Sequence, residues 1–395
     1  MSRCAVAALA LLAAAGTASG AACSATEGDV LTTPSPAGDA GVEAGPDGAR
    51  EAGPNDGAAG DGAPDACATA DVSVDPHHCG RCGHDCLGGA CVAGACQPAL
   101  IAALDTPVGI AIDDGHVYWA TGTSSGSVYA ALKDGSDRRT LATGQTLPLR
   151  VAIDDAYVYW GNGASGGIRR VAKGGGPDVL VASTAGAVLD IAVDATSVYF
   201  VDLYARAIRA APRAAPDGGA PVIVGDQDYA WGLLATDDAI TWTTRGTFVT
   251  DDAGVSAFSA HDGQVLTASK AAGATPSVVA AAQDDPLAIA RDASGLYWLN
   301  GYSRSIMRLG PSDAAPVAIA TGQTSLNALA LDGTYVYFTC GCEPDGLGRV
   351  QRVPKAGGPI DVLVTSLRYP SAIAVDDDAV YWSNTEGASV MRLAK

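Results

Sequence analysis

The chain has 395 residues, 48% of them hydrophobic and 17% charged, which is enough for a sizeable core and for more than one domain. Its formal net charge of −19 is not offset by any Lys/Arg cluster, so its surface repels phosphate backbones and anionic lipid heads. Nucleic acid is excluded as a partner on that ground.

Residues 1–22 carry Arg3, an apolar run from Ala5 to Ala15, and the small residues Gly20-Ala21-Ala22 before Cys23. This is the pattern of a secretory signal, too short to cross a bilayer. Residues 23–66 are almost wholly Ala, Gly, Pro, Asp, Glu, Ser and Thr, with no aromatic residue. Such a composition cannot bury enough apolar surface to offset its ordering entropy, and a disordered linker is expected.

Residues 67–97 hold Cys67, Cys79, Cys82, Cys86, Cys91 and Cys96 among glycines. In an exported chain this density implies a disulfide-rich module, in which bridges replace the core that so short a segment lacks. A zinc site is the competing reading, because Cys79 and Cys82 have knuckle spacing beside His77, His78 and His84; a second matched pair is missing. Six cysteines allow fifteen pairings, and spacing does not choose among them.

From residue 98 to 395 one unit recurs seven times. Its aromatic pairs are Tyr118-Trp119, Tyr159-Trp160, Tyr199-Phe200, Thr241-Trp242, Tyr297-Trp298, Tyr337-Phe338 and Tyr381-Trp382, with second members 41, 40, 42, 56, 40 and 44 residues apart. A period in the forties built of strand-like runs predicts an all-β, seven-bladed β-propeller with four strands per blade. The last repeat lacks a fourth strand, and Pro98–Leu104 is the candidate to supply it, closing the ring and removing an exposed edge. Each first-to-second-strand connection is acidic, as in Asp113-Asp114-Gly115 and Asp376-Asp377-Asp378. Aspartate at a turn start bonds its own backbone, so these are read as turns and the aromatic pairs as core.

Four resemblances follow from these residues. Ser19-Gly20-Ala21-Ala22-Cys23 resembles a bacterial lipobox, which implies lipidation of Cys23 and an outer-membrane or cell-surface lipoprotein; ordinary cleavage with secreted or periplasmic release is the alternative. The run from Asp75 to Cys96 resembles the cysteine-rich repeat of stigma-specific plant proteins. The Tyr-Trp units with Ala120-Thr121, Gly161-Asn162 and Ser383-Asn384 are similar to the YWTD repeat, and Pro148-Leu149-Arg150-Val151-Ala152 and Gly167-Ile168-Arg169-Arg170-Val171 are similar to streptogramin-lyase-like bacterial propellers.

Site candidates come from what is not repeated. Ten residues before each second aromatic stand Gly109, Arg150, Asp190, Gly232, Ala288, Ala328 and Ala372, where Arg150 and Asp190 break a small-residue pattern near the channel mouth. An ion pair lining the channel is the bland reading and a ligand site the sharp one. Tyr229, Trp231 and Asn327 lie on the same face. The long fourth repeat adds Phe248, Phe258 and His261, expected to overhang the mouth. Cys340 and Cys342 are expected to form a small disulfide staple around Gly341.

The functional expectation is a non-catalytic, surface-tethered binding or scaffold propeller without cofactor or metal, taking a protein, peptide or glycan partner and meeting a membrane only through a lipid anchor. A streptogramin-lyase-like enzyme and a purely structural envelope protein are the alternatives. Lyase chemistry needs clustered histidines and carboxylates on the open face, whereas the propeller carries only His116 and His261, with His116 assigned to the opposite face.

Overall fold

The structure, a computed structural model, describes residues 70–395 apart from 105, 165–166, 215–218, 251–255, 259–260 and 342–346. The signal and linker segments, Cys23, Cys67 and Cys342 lie outside the described residues. Among those described there is no helix. Seven four-stranded antiparallel sheets form the ring, each counted outward from its inner strand. Blade 1 comprises Pro107–Ile112, His116–Thr121, Gly126–Leu132 and Arg139–Gln145. Blade 7 comprises Pro370–Val375, Ala379–Asn384 and Ser389–Ala394, and its outer strand is Ala99–Ala103 from the N-terminal side. That pairing closes the ring and leaves no half-finished blade.

The core sits between blades. The aromatic pairs are fully buried, with Tyr118, Trp119, Tyr159, Trp160, Tyr297, Trp298, Tyr381 and Trp382 each at 0–1% exposure. A buried indole N–H needs an acceptor, and Trp160, Trp242 and Trp298 donate to Gln145, Gln227 and Gln283 at 3.0, 2.9 and 3.0 Å. Leu104 and Leu367 hold the corresponding places before Trp119 and Trp382, whose Nε1 atoms meet no acceptor among the described residues.

The aspartate turns do more than cap. Asp113 Oδ1 accepts the N–H groups of Gly115 and His116 at 3.0 and 2.8 Å, while Oδ2 accepts the Tyr118 hydroxyl at 2.9 Å and Lys173 Nζ of the next blade at 2.7 Å. Equivalent cations, each directly after a third strand, join the blades at Arg213–Asp154, Lys270–Asp194, Lys355–Asp292, Lys395–Asp332 and Lys133–Asp376. Burial works to raise Asp113, Asp194 and Asp332, but the lysine and turn N–H hydrogen bonds together outweigh it and hold these carboxyls well below the ordinary range. The seam between blades 4 and 5 departs from this scheme. Gly310 stands where the cation belongs, Thr241 replaces the tyrosine, and Thr236, rather than the expected Asp237, caps the turn by accepting the Ala239 N–H.

Before the ring, Cys79–Cys91 and Cys86–Cys96 are disulfides, and Cys82 is disulfide-bonded as well. These sulfurs are therefore committed to bridges and not to a zinc ion. The module docks on the turn side of blade 7. His84 bridges the Cys79 and Lys395 main-chain oxygens at 2.7 and 2.8 Å, and Arg81, Asp85 and Leu87 border one hollow with Asp377 and Asp378.

Candidate functional site

All seven positions picked by counting back from the aromatics line one cavity of about 170 Å3 at the centre of the ring. Counting back from the aromatics suggests that these residues begin the inner strands, and they do not. The strands start two residues earlier in every blade, at Pro107, Pro148 and Pro370 for example, and a register shift follows directly, between Pro107 and Gly109, Pro148 and Arg150, and Pro370 and Ala372. A bulge bends the strand that carries it and re-aims its side chains. Small residues prevail because the strands converge: a Cβ at Gly109 would stand 2.6 Å from Leu149 O, and one at Gly232 2.6 Å from Leu287 O.

Arg150 and Asp190 face each other across the seam of blades 2 and 3, with Nε 3.8 Å from Oδ1, and they retain 28% and 22% exposure. Asp190 Oδ1 accepts the Ile191 N–H at 3.0 Å, and Oδ2 reaches into blade 4 to accept the Leu233 N–H at 2.9 Å. Burial raises the Asp190 carboxyl above its ordinary value, against the pull of Arg150 and the two N–H groups. Asn327 is engaged in the wall itself, donating to Pro370 O of blade 7 at 2.9 Å.

The fourth-blade insertion forms a short hairpin, Phe248–Thr250 with Ser256–Phe258. Phe248 and Phe258 pack on each other at 5.0 Å between ring centroids and on Tyr229 at 5.6 and 5.0 Å, an arrangement of tilted and edge-on rings. Beneath them Arg245 forms a bidentate pair with Asp285 at 2.5 and 2.9 Å, both side chains nearly fully buried at 4% and 6% exposure. The guanidinium carbon of Arg245 also lies 4.1 Å from the Phe258 ring centre and 4.8 Å from that of Trp231. On the other flank His261 Nδ1 stands 2.5 Å from Asp284 Oδ1, which also accepts the His261 N–H. Asp284 and Asp285, the connection leading into blade 5, thus hold both ends of the insertion. Phe248, Phe258 and His261 border the mouth at this seam but do not line the central cavity, where only Trp231 of the group appears.

Arg245, Asp285, Tyr204 and Tyr302 were not singled out from the sequence. Tyr204 and Tyr302 are 59% and 44% exposed on equivalent connections of blades 3 and 5, flanking blade 4. The Tyr204 ring rests on Gly186, where a Cβ would meet Cδ2 at 2.1 Å. Burial, with Asp285 adding to it, raises the Tyr302 hydroxyl above its ordinary value. A signal for both lay in the parallel runs Asp202-Leu203-Tyr204-Ala205-Arg206 and Asn300-Gly301-Tyr302-Ser303-Arg304. Cys340 ends a buried strand, and its Sγ accepts Gln351 Nε2 at 3.1 Å; the staple foreseen with Cys342 falls outside the described residues.

No protein-family model matches the chain, and no curated protein matches it. Solved structures do. The computationally designed Ika8 protein matches with a TM-score of 0.53 and 13% identity over 75% of this chain and 99% of its own. Virginiamycin B lyase from Staphylococcus aureus matches with 0.59 and 16% identity over 76% and 98%. A chain of the nidogen/laminin complex is also found, with 0.48 and 15% identity over 66% and 97%. At such identities the first two likenesses speak for the fold alone, and the chain has the β-propeller fold.

Proposed function

We propose that this chain is a non-catalytic recognition propeller, exported and held to a surface through its N-terminal side, that binds a peptide or glycan on the mouth between blades 3 and 5. One observation carries the reading. The features that recur all around the ring are engaged in turns, core and blade seams, while Tyr204, Tyr229, Trp231, Phe248 and Tyr302, aromatics that most blades lack, lie on the mouth side of blades 3 to 5, where Tyr229, Trp231 and Phe248 pack about a buried ion pair. Aromatic rings with a supported face and an exposed one offer large contact area at small entropic cost, which suits peptide side chains and sugar rings.

The disulfides fit an oxidising compartment, and the signal-like segment with Cys23 supplies the route and the anchor in this reading. The lyase alternative draws on His261–Asp284, a histidine–carboxylate pair on the mouth suited to proton transfer. His261 is 75% exposed, and His116 is turned toward Asp113 and Arg139 in the turn region, so the two histidines do not converge.

Screening the full chain on peptide and glycan arrays, beside a Tyr204→Ser/Tyr302→Ser double variant with an unchanged circular-dichroism spectrum, tests the reading. Loss of two aromatic contacts is expected to weaken the selected ligand at least about tenfold. Equal binding by the double variant overturns it, as does turnover of an array ligand that is abolished in His261→Ala.

A further inference from the structure

Arg150 is the one cation among the residues that line the central cavity. Its Nε lies 3.8 Å from Asp190, beyond hydrogen-bond reach, and among the described residues its guanidinium donates no hydrogen bond. Each Asp190 carboxylate oxygen accepts one backbone N–H, which fixes the carboxylate where it stands. The contrast with Arg245, doubly bonded to Asp285, and with Arg213, bonded to Tyr159 and to the Asp194 carbonyl, is plain. A guanidinium carries five N–H donors in a planar fork that fits a carboxylate through two parallel hydrogen bonds. Here that fork sits beside Asp190, with part of its surface open to solvent, in a wall otherwise of Gly, Ala, Val, Ile and Leu bearing one aromatic ring, Trp231.

We propose that the central cavity is a subsite for a small organic acid, whose carboxylate is received by Arg150 and whose apolar part lies against Trp231 and the inner-strand aliphatics. The proposal rests on the binding reading above and names a ligand class for the axial part of the same face. Size limits the acid. The cavity measures about 170 Å3. A protein cavity of about 150 Å3 takes a benzene ring, so this one has room for a ring-sized group. An acid the size of phenylacetate fits such a space and a chain of sugar rings does not.

The test is calorimetric titration of the full chain with acetate, propionate and phenylacetate, and with phenylacetamide as the neutral counterpart. Phenylacetate is expected to bind at one site per chain, about 10- to 100-fold tighter than phenylacetamide, the span that charge-assisted hydrogen bonds provide. Arg150→Gln should bring the acid down to the level of the amide, and Arg150→Lys should restore part of the difference, with thermal melting verifying the fold of each. Trp231→Leu should weaken phenylacetate and spare acetate. Equal affinity for acid and amide, undiminished binding by Arg150→Gln, or no saturable binding of any of the three acids each overturns the proposal. The two readings fail separately: loss of the Arg150 effect removes the acid subsite and leaves the aromatic mouth, whereas array binding indifferent to Tyr204 and Tyr302 removes the mouth and leaves the subsite.

Discussion

Before most inner strands the chain passes through two left-handed residues three positions apart. Gly144 and Leu147, Asp226 and Tyr229, Ala282 and Asp285, Gly322 and Ser325, and Ser366 and Tyr369 form this series. The second member ends the connection just before the inner strand, which is how Tyr229 and Asp285 come to the site. The first member needs only a positive φ, and a Cβ at Gly144 or Gly322 would meet nothing within 4 Å. Ala282 at φ 54° and Ser366 at φ 61° therefore bear a steric cost that Gly144 and Gly322 do not. Replacing Ala282 or Ser366 by glycine is expected to raise stability by about 0.5–1 kcal/mol, after the added freedom of the unfolded chain is deducted. Urea denaturation reads this directly, and a lower midpoint in either variant contradicts it. The same scale shows what sequence could reveal. Tyr118 and Asp113 were legible as core and turn because five other blades repeat them, and Trp119 because all six others carry Trp or Phe in its place. Arg245 was not, because its meaning depends on Asp285, 40 residues away in the next blade, and on an insertion with no counterpart to align.

At the level of blades, the seam between blades 4 and 5 inverts the general design. Six seams are pinned on the turn side by a cation on an aspartate; this one is pinned at the mouth by Arg245 and Asp285, with Thr243 Oγ1 donating to Leu287 O at 2.7 Å beside it. A buried pair broken on one side leaves an uncompensated charge, so Arg245→Ala is expected to cost about 3–5 kcal/mol. Lys355→Ala, which releases a carboxylate closer to solvent, should cost clearly less. Comparison of urea midpoints settles the order, and equal losses would mean that the Arg245 pair is no stronger a fastening than the turn-side ones. The number of blades, their closure by Ala99–Ala103 and the seven channel residues were all readable from spacing. The bulges were not, because a bulge depends on strand pairing and leaves no mark in hydrophobic alternation. The third-strand cations Lys133, Lys173, Arg213, Lys270, Lys355 and Lys395 left a readable mark, a basic residue at one repeat position that becomes Gly310 in blade 5.

For the whole molecule, the turn-side carboxylates make stability depend on acid. Asp113, Asp194 and Asp332 are held below their ordinary range in the folded ring, so their contribution is complete above the unfolded value of about 3.9 and is lost as pH falls through it toward the folded values. The urea midpoint is expected to fall steadily between about pH 5 and pH 2, and Asp332→Asn should flatten that slope while lowering the midpoint at neutral pH. An unchanged slope in the variant would show that other groups govern acid unfolding. The docking of the cysteine-rich module on the turn side of blade 7, through His84 and Lys395, bears on a different matter. The chain enters the ring from behind. The module thus covers the turn side and leaves the mouth open, so a ligand reaches the mouth without the module having to be displaced.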